Sequence, residues 1–301
     1  MIRSTASRLP AVPGVYRFAD ERGRTLYVGR AVDLRRRVGS YGGDLRDRRH
    51  LRRMVARIAR IDALACASGH EAAWLERNVL ERSLPPWNRT PGGQEVPLSI
   101  VVSRKPPALR TVHDAAAGDL TFGPYLGGTQ VRLAMSALSR VFPVHYASSG
   151  LTASERDLAR ARGFATGTHS FVDGVVDALR GPGVPALLAE LTARRDAAAA
   201  ALGFELAGRI QSEIEAVEWI SQEQRVHRVG GPDAVAHGYA GGLLLRLEFH
   251  GGRLDGWRVR PASARAAGPL VAATAPQWQD FARRNAELAA TLRAAAQPRT
   301  P

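Results

Sequence analysis

Five polar side chains early in the sequence carry functional groups that hydrolysis of a phosphodiester could use. They are Tyr16, Tyr27, Arg37, Glu76 and Asn88. The carboxylate of Glu76 is a hard oxygen ligand for Mg²⁺ or Mn²⁺, and one protein carboxylate suffices when waters and a substrate phosphate complete the coordination. The guanidinium of Arg37 can pair with the scissile phosphate and offset its developing charge. Because the set holds a single carboxylate, we expect one metal ion rather than two.

The charge of the chain points to a polyanionic partner. The 301 residues carry a formal net charge of +14, and the sequence pI is about 11.2. Residues 1–60 hold sixteen arginines and five acidic residues, so most of the surplus lies in one part of the chain. A focused positive field steers nucleic acid more effectively than it aids solubility. We therefore expect six arginines to contact DNA: Arg30, Arg35, Arg36, Arg49, Arg52 and Arg53.

Two strands and two helices are predicted to position the candidate residues. Residues 15–18 and 25–28 are strand-like and flank a turn signal, which predicts an antiparallel hairpin. Asp33 is a plausible N-cap for the helix that carries Arg37. Residues 44–61 have the apolar spacing of a basic amphipathic helix. Residues 70–84 are predicted to form the helix that carries Glu76.

The complete sequence predicts an α+β protein in four segments. A small domain with a short antiparallel sheet flanked by helices is expected over residues 1–95. A connecting region follows over residues 96–183, with a turn at 122–125 and a linker with some helix at 147–183. A helical hairpin broken near Gly203 is predicted over residues 184–226, and it carries too few apolar residues to stand alone. A small β unit with a helical tail is predicted over residues 227–301.

The order of the candidate residues resembles the GIY-YIG nucleases. Their paired signature is similar to Pro13-Gly14-Val15-Tyr16 followed by Leu26-Tyr27-Val28-Gly29-Arg30. Arg37, Glu76 and Asn88 then follow in the order found in UvrC-type nuclease domains. Those domains usually have Tyr where Trp87 stands and Lys where Arg30 stands. Arg37 is one of three consecutive arginines, so its selection over Arg35 or Arg36 depends on spacing alone.

The resemblance implies roles for the two tyrosines. Tyr27 would help to deprotonate the attacking water, and Tyr16 would position it. A phenol has a pKa near 10, so Tyr27 can act near pH 8 only if nearby cations and a metal lower that value. Asn88 is expected to brace the site rather than to transfer protons.

The similarity to UvrC extends beyond the first segment. Phe122-Gly123-Pro124-Tyr125 resembles the stretch that follows the nuclease domain in that family. Residues 202–214 resemble the UVR motif, a helical hairpin through which UvrC meets the helicase subunit UvrB. Phe204 and Leu206 would then be apolar anchors for a UvrB-like partner. The alternative is an ordinary helical hairpin that packs on its own chain.

Departures from UvrC narrow the expected activity. Cys66 is the only cysteine, so no iron–sulfur cluster is expected, and no second nuclease domain is recognisable. These features resemble the short UvrC homologues called Cho. The resemblance implies a single-strand incision 3′ of a lesion in double-stranded DNA during nucleotide excision repair.

Other functions remain open from the sequence alone. The chain could be a non-catalytic DNA-binding adaptor, the nuclease half of a longer exonuclease–GIY-YIG fusion, or an RNA or mobile-element nuclease. No stretch approaches the roughly 20 apolar residues that span a bilayer, and the start lacks a signal-peptide pattern. We therefore expect a cytoplasmic location and no membrane partner.

Overall fold

The computed structural model describes residues 1–43, 51–93, 95–113, 120–148, 150–164, 166, 170–228 and 230–296, with side chains up to 294. These residues form an α+β fold in which three-stranded antiparallel sheets are flanked by helices. Unit 1 is one compact body that combines Met1–Gln94 with Glu223–Pro301, and unit 2 is Glu95–Gln222. Among the described residues, no helix combines the length and the hydropathy needed to cross a bilayer.

The N-terminal part of unit 1 contains the predicted hairpin. Its elements are α1 (Ile2–Ala6), β1 (Gly14–Ala19), β2 (Thr25–Ala31), α2 (Leu34–Gly39), α3 (Arg52–Val55), β3 (Arg60–Ala65) and α4 (Gly69–Arg82). The strands pair in the order β2-β1-β3, all antiparallel. Tyr16 lies opposite Gly29 in the β1–β2 ladder, and Phe18 lies opposite Tyr27. This register brings the tyrosines of the two signature halves together.

The helices that follow agree only partly with the prediction. Asp33 caps α2, since its carboxylate accepts a hydrogen bond from the Arg36 backbone N–H at 2.9 Å. The helix predicted over residues 44–61 is wrong beyond residue 55, because α3 ends at Val55 and the chain then enters β3 at Arg60, which pairs with β1. Met54 of α3 packs in the core. Residues 44–50, including Arg49, lie outside the described part of the chain.

Unit 2 contains a second sheet and a bundle of helices. Its elements are β4 (Leu98–Arg104), β5 (Pro107–Val112), β6 (Leu120–Tyr125), α5 (Gly128–Val141), α6 (Ala153–Ala161), α7 (Ser170–Arg180), α8 (Val184–Ala200) and α9 (Phe204–Ile220). The turn predicted at residues 122–125 is wrong, because these residues belong to β6. The sheet order is β5-β4-β6, and an edge strand such as β6 tolerates Pro124, which lacks an N–H. The expected linker contains α6 and α7.

The predicted helical hairpin is α8 and α9. It docks on α5, where Leu138 packs in one core with Ile210, Ile214 and Val217. The buried carboxylate of Glu213 accepts hydrogen bonds from Ser136 Oγ and Arg140 Nε, both at 2.6 Å. The hairpin therefore gains on its own chain the apolar partner that its composition requires.

The C-terminal part of unit 1 shares a core with the first sheet. Its elements are β7 (Ala234–Ala240), β8 (Leu243–His250), β9 (Arg253–Pro261), α10 (Ala264–Ala272) and α11 (Pro276–Ala296). Leu288 and Leu292 of α11 enter the core formed by β1, β2 and α2. Asn285 accepts a hydrogen bond from the Ala65 N–H at 2.6 Å and donates to the Ala65 carbonyl at 3.2 Å. Its amide thus satisfies the open edge of β3.

This grouping differs from the four segments expected from the sequence. Segments 1–95 and 227–301 form one compact unit although they are far apart in the chain. The connecting region and the helical hairpin form the other unit.

Candidate active site

Three tyrosines and one arginine form a cluster where β1, β2 and α2 meet. The hydroxyls of Tyr16 and Tyr41 are 2.8 Å apart, and Arg37 Nε donates to the Tyr16 hydroxyl at 3.3 Å. The Tyr27 ring centroid lies 6.1 Å from that of Tyr16 and 6.4 Å from that of Tyr41. Arg37 also lies over the Tyr41 ring, with Cζ 5.6 Å from its centroid.

The three consecutive arginines have different surroundings. Arg37 is the one that contacts the tyrosines, whereas Arg35 Nε donates to the Leu9 carbonyl at 2.8 Å. Arg36 is exposed and lines a cleft of about 420 Å³ together with Arg30 and Arg37. Arg37 is therefore the one of the three arginines that joins the tyrosine cluster, whereas Arg36 lies in the adjoining cleft. The other two DNA-binding candidates that the structure describes, Arg52 and Arg53, are exposed on α3.

Two glycines of the signature are required by close packing. A Cβ atom on Gly14 would lie 2.3 Å from the Leu64 carbonyl oxygen of the neighbouring strand. A Cβ atom on Gly29 would lie 2.6 Å from the Tyr16 hydroxyl and 2.7 Å from a Tyr27 ring carbon. Gly29 therefore leaves the space in which the two phenols converge.

If this cluster cuts DNA, as the resemblance to the GIY-YIG nucleases implies, replacing Gly29 with alanine is expected to lower nicking by roughly 10²-fold, because displaced groups lose their alignment. DNA affinity should change little, since the exposed arginines are untouched. The rate is measured with a supercoiled plasmid, and affinity by fluorescence anisotropy. Gly69→Ala is the matched control, because nothing lies within 4 Å of its added methyl group. Equal rates for the two variants would contradict the packing role of Gly29.

Glu76 extends from α4 to the end of β2. Its Oε1 atom accepts a hydrogen bond from the Arg30 backbone N–H at 3.1 Å, and its Oε2 atom lies 3.5 Å from Arg30 Nε. The side chain is 21% exposed, so solvent reaches it. In the described part of the chain, no group of three or more His, Cys, Asp or Glu residues could hold a metal. A lone, accessible carboxylate suits an ion that keeps most of its waters, such as Mg²⁺.

Asn88 holds the outer edge of β2. Its Oδ1 atom accepts from the Val28 N–H at 2.9 Å, and its Nδ2 atom donates to the Val28 carbonyl at 2.8 Å. The preceding Trp87 N–H donates to the Leu26 carbonyl at 3.2 Å. These bonds fix the backbone on both sides of Tyr27, so the amide of Asn88 positions that tyrosine.

Without a bound metal ion, the phenols of Tyr16 and Tyr27 are protonated at neutral pH. Burial raises the pKa of Tyr16 well above its usual value, and Tyr41 and Tyr27 raise it further. Burial also raises the pKa of Tyr27, as do its interactions with Tyr41 and Glu76, whereas Arg37 lowers it. Together, these protein groups raise the pKa of Tyr27, whereas a base that acts near pH 8 needs a lowered pKa. A divalent cation beside Glu76 would act in the lowering direction.

Tyr41 belongs to the cluster but was not among the residues predicted from the sequence. It lies four positions after Arg37, one helical turn further on, and precedes the pair Gly42-Gly43. An aromatic residue at that spacing from a candidate arginine was the available signal.

A different face of α4 anchors the C-terminal part of unit 1. Glu71 is fully buried and accepts hydrogen bonds from the Ala67 N–H at 2.7 Å and the Arg225 N–H at 3.2 Å. Asn78 Nδ2 donates to the carbonyls of Val226 at 3.0 Å and Leu254 at 3.2 Å. The helix that presents Glu76 is therefore held by segments distant in sequence.

Comparison with known proteins identifies the part of the chain that holds this site. Residues 12–89 match the family described as the UvrC-like GIY-YIG domain. Residues 12–89 are a UvrC-like GIY-YIG domain. The matched range contains all five residues of the predicted catalytic set.

The similarity of this chain to curated proteins extends past the GIY-YIG domain. The UvrABC system protein C of Natronomonas pharaonis is 31% identical over 92% of this chain and 52% of that protein. The protein of the same name from Mycolicibacterium paratuberculosis is 30% identical over 85% of this chain and 43% of that protein. The chain thus spans about half the length of these relatives.

A solved structure matches the GIY-YIG domain alone. It is the N-terminal endonuclease domain of UvrC from Thermotoga maritima, bound to its catalytic divalent cation, magnesium. Identity is 27%, the match covers 29% of this chain and 96% of that chain, and the TM-score is 0.26.

Proposed function

We propose that this protein is a metal-dependent DNA endonuclease that makes a single-strand incision by phosphodiester hydrolysis. The observation that carries the proposal is the convergence of Tyr16, Tyr27 and Arg37 within a UvrC-like GIY-YIG domain that also presents Glu76. A basic cleft lined by Arg30, Arg36 and Arg37 adjoins them and suits a polyanionic strand.

Each residue has a role that follows from its surroundings. Arg37 pairs with the scissile phosphate and offsets the charge that develops on it. Tyr27 would accept a proton from the attacking water as a tyrosinate, once a cation beside Glu76 has lowered its pKa. Tyr16, hydrogen-bonded to Tyr41 and Arg37, would hold that water in place. Asn88 keeps Tyr27 in register through the backbone of Val28.

A single Mg²⁺ or Mn²⁺ ion would be held by Glu76, with waters and a substrate phosphate oxygen as its other ligands. When bound, it supplies positive charge that stabilises the leaving alkoxide and lowers the pKa of neighbouring acids. Arg30 contacts the same carboxylate through its backbone N–H and keeps it oriented towards β2.

The biological substrate that we propose is double-stranded DNA with a lesion, cut on the 3′ side during nucleotide excision repair. The alignment with UvrABC system protein C over most of this chain supports this assignment. Loading would depend on a UvrB-like helicase subunit, because backbone contacts by exposed arginines carry no sequence information.

The tip of the α8–α9 hairpin is the proposed contact with that subunit. Leu202, Phe204 and Leu206 are exposed by 75%, 67% and 47%, although other apolar residues of the hairpin are buried against α5. Leu202 adopts a φ of 59°, which bends the chain and presents Phe204 at the start of α9. Exposed apolar residues grouped at a turn are typical of a docking surface.

The double variant Phe204→Ala/Leu206→Ala is expected to weaken binding to a UvrB-like protein by roughly 10²-fold, as loss of two buried anchors would. Isothermal titration calorimetry measures the affinity. Leu158→Ala is the matched control, since Leu158 is exposed by 46% on another helix. Unchanged affinity in the double variant would favour an ordinary hairpin that packs only on its own chain.

The function is tested with an end-labelled duplex that contains one bulky adduct. We expect incision on the 3′ side of the adduct only when a UvrB-like loader and Mg²⁺ or Mn²⁺ are both present. EDTA should abolish the cut. DNA binding without any cut under all these conditions would instead support a non-catalytic adaptor.

A further inference from the structure

The sheet formed by β7, β8 and β9 has one covered face and one basic face. Its inner side chains, including Leu245, Leu247 and Trp257, are buried. The opposite side presents Arg246 and Arg258, which lie directly opposite each other in the β8–β9 ladder. Arg260 follows two residues later on the same side of β9. We call these three arginines the basic face.

The basic face holds three arginines, and two of them pair with a single carboxylate. Glu248 lies 3.3 Å from Arg246 Nε and 3.5 Å from Arg258 Nε, whereas the neighbouring Arg82 pairs with Asp255 at 2.9 Å and reaches Glu248 only at 3.9 Å. Arg260 forms no ion pair within the part of the chain that the structure describes. Like charges placed directly opposite across two strands destabilise a sheet. A polyanion bound here would offset that repulsion.

The arginines of the basic face also shift the pKa of a neighbouring histidine. His237 lies opposite Arg246 in the β7–β8 ladder. Burial lowers the pKa of His237, and Arg246 and Arg260 lower it further. The histidine therefore stays neutral at physiological pH, and the positive charge of the basic face comes from its arginines alone.

An open cavity beside the basic face provides room for a ligand. It has a volume of about 620 Å³, and its charged lining consists of Arg82, Arg246 and Arg258 together with the carboxylates of Asp233 and Glu248. Arg82 and Arg258 have side chains exposed by 41% and 78%. A planar guanidinium group can donate two parallel hydrogen bonds to the oxygens of one phosphate. Several guanidinium groups on one face can therefore contact successive phosphates of a strand.

We propose that the basic face binds the phosphodiester backbone of duplex DNA, as a second contact outside the cleft of the GIY-YIG domain. The identity of the polyanion rests on the proposed function. Arg82 ends α4, the helix that also carries Glu76, so the same helix supports both surfaces. The second contact would hold DNA that flanks the cut.

The test compares two triple variants of the full chain in EDTA, so that binding is measured without cutting. The first is Arg246→Gln/Arg258→Gln/Arg260→Gln. The control is Arg22→Gln/Arg162→Gln/Arg180→Gln, which removes three exposed arginines from other surfaces. Fluorescence anisotropy with a labelled duplex gives Kd over a range of salt concentrations, and thermal unfolding verifies that both variants fold.

The basic-face variant is expected to bind DNA roughly tenfold or more weakly near 0.1 M salt. The plot of log K against log salt has a negative slope, and the magnitude of that slope should decrease by about two to three. Each lost phosphate contact removes about 0.9 from it. The corresponding lysine triple should retain most of the slope, because lysine keeps the charge. Binding equal to that of the control triple, or weaker binding with an unchanged slope, would overturn the proposal.

Nicking by the unmodified protein separates this proposal from the proposed function. Loss of DNA affinity in the basic-face variant, together with no nicking by the unmodified protein under loading conditions, would sustain the second contact and refute the endonuclease. Normal nicking by the unmodified protein, together with unchanged DNA affinity in the basic-face variant, would support the endonuclease and refute the second contact.

Discussion

Replacing Glu76 with glutamine is expected to reduce nicking by about 10³-fold or more, a loss typical of removing a main electrostatic element from a catalytic site. Glutamine keeps the acceptor for the Arg30 N–H and the volume of the side chain, but it loses the negative charge that binds a divalent cation. DNA affinity measured in EDTA should be unchanged within a factor of two or so, because the arginines provide it.

The matched control for this variant is Glu81→Gln on the same helix. Glu81 forms ion pairs with Arg77 and Arg253 and lies outside the tyrosine cluster. Initial rates of plasmid nicking should therefore remain close to those of the unmodified protein. A Glu76→Gln variant that cuts as fast as the Glu81→Gln variant would refute the assignment of Glu76 as the metal ligand.

Replacing Glu71 with alanine is expected to destabilise unit 1 by about 3–5 kcal/mol, the usual cost of breaking a buried ion pair from one side. The change leaves two backbone N–H groups, those of Ala67 and Arg225, without their acceptor and removes the partner of the Arg225 guanidinium at 3.5 Å. In thermal unfolding followed by circular dichroism, the Tm should fall by roughly 10 °C for a unit of this size.

Glu81→Ala serves as the comparison for this prediction too. Its carboxylate is 33% exposed, so loss of its ion pairs should cost less than about 1 kcal/mol. Glu71→Gln should fall between the two, because its amide oxygen still accepts one hydrogen bond. If Glu71→Ala unfolds at the same temperature as Glu81→Ala, Glu71 does not hold the C-terminal segment in place.

Both predictions concern α4, which shows how catalysis and stability are joined in this fold. Glu76 faces β2 and the tyrosine cluster, whereas Glu71 and Asn78 face the segment that begins at residue 223. The position of the proposed metal-binding carboxylate therefore depends on residues more than 140 positions away in the chain. A variant that loosens the C-terminal segment should also impair nicking, without touching a catalytic group.

The sequence determined the local parts of the site. Two short runs of β-forming residues around a turn predict the β1–β2 hairpin, and hairpin register alone brings Tyr16 and Tyr27 together. Asp33 predicts where α2 begins, which fixes the face on which Arg37 lies. Gly29 is explained by its contacts with Tyr16 and Tyr27 of the same hairpin. These interactions join residues close in sequence, so pattern and spacing suffice to find them.

Only the tertiary structure decided which distant residues complete the unit and how its charges are balanced. No periodicity predicts that Asn285 satisfies the edge of β3 or that Leu288 enters the core, because these contacts join segments about 220 residues apart. The same is true of the pKa of Tyr27, which depends on burial and on the approach of Tyr41 and Glu76. Desolvation and long-range packing are properties of the assembled fold, whereas hairpins and helix caps are encoded by neighbouring residues.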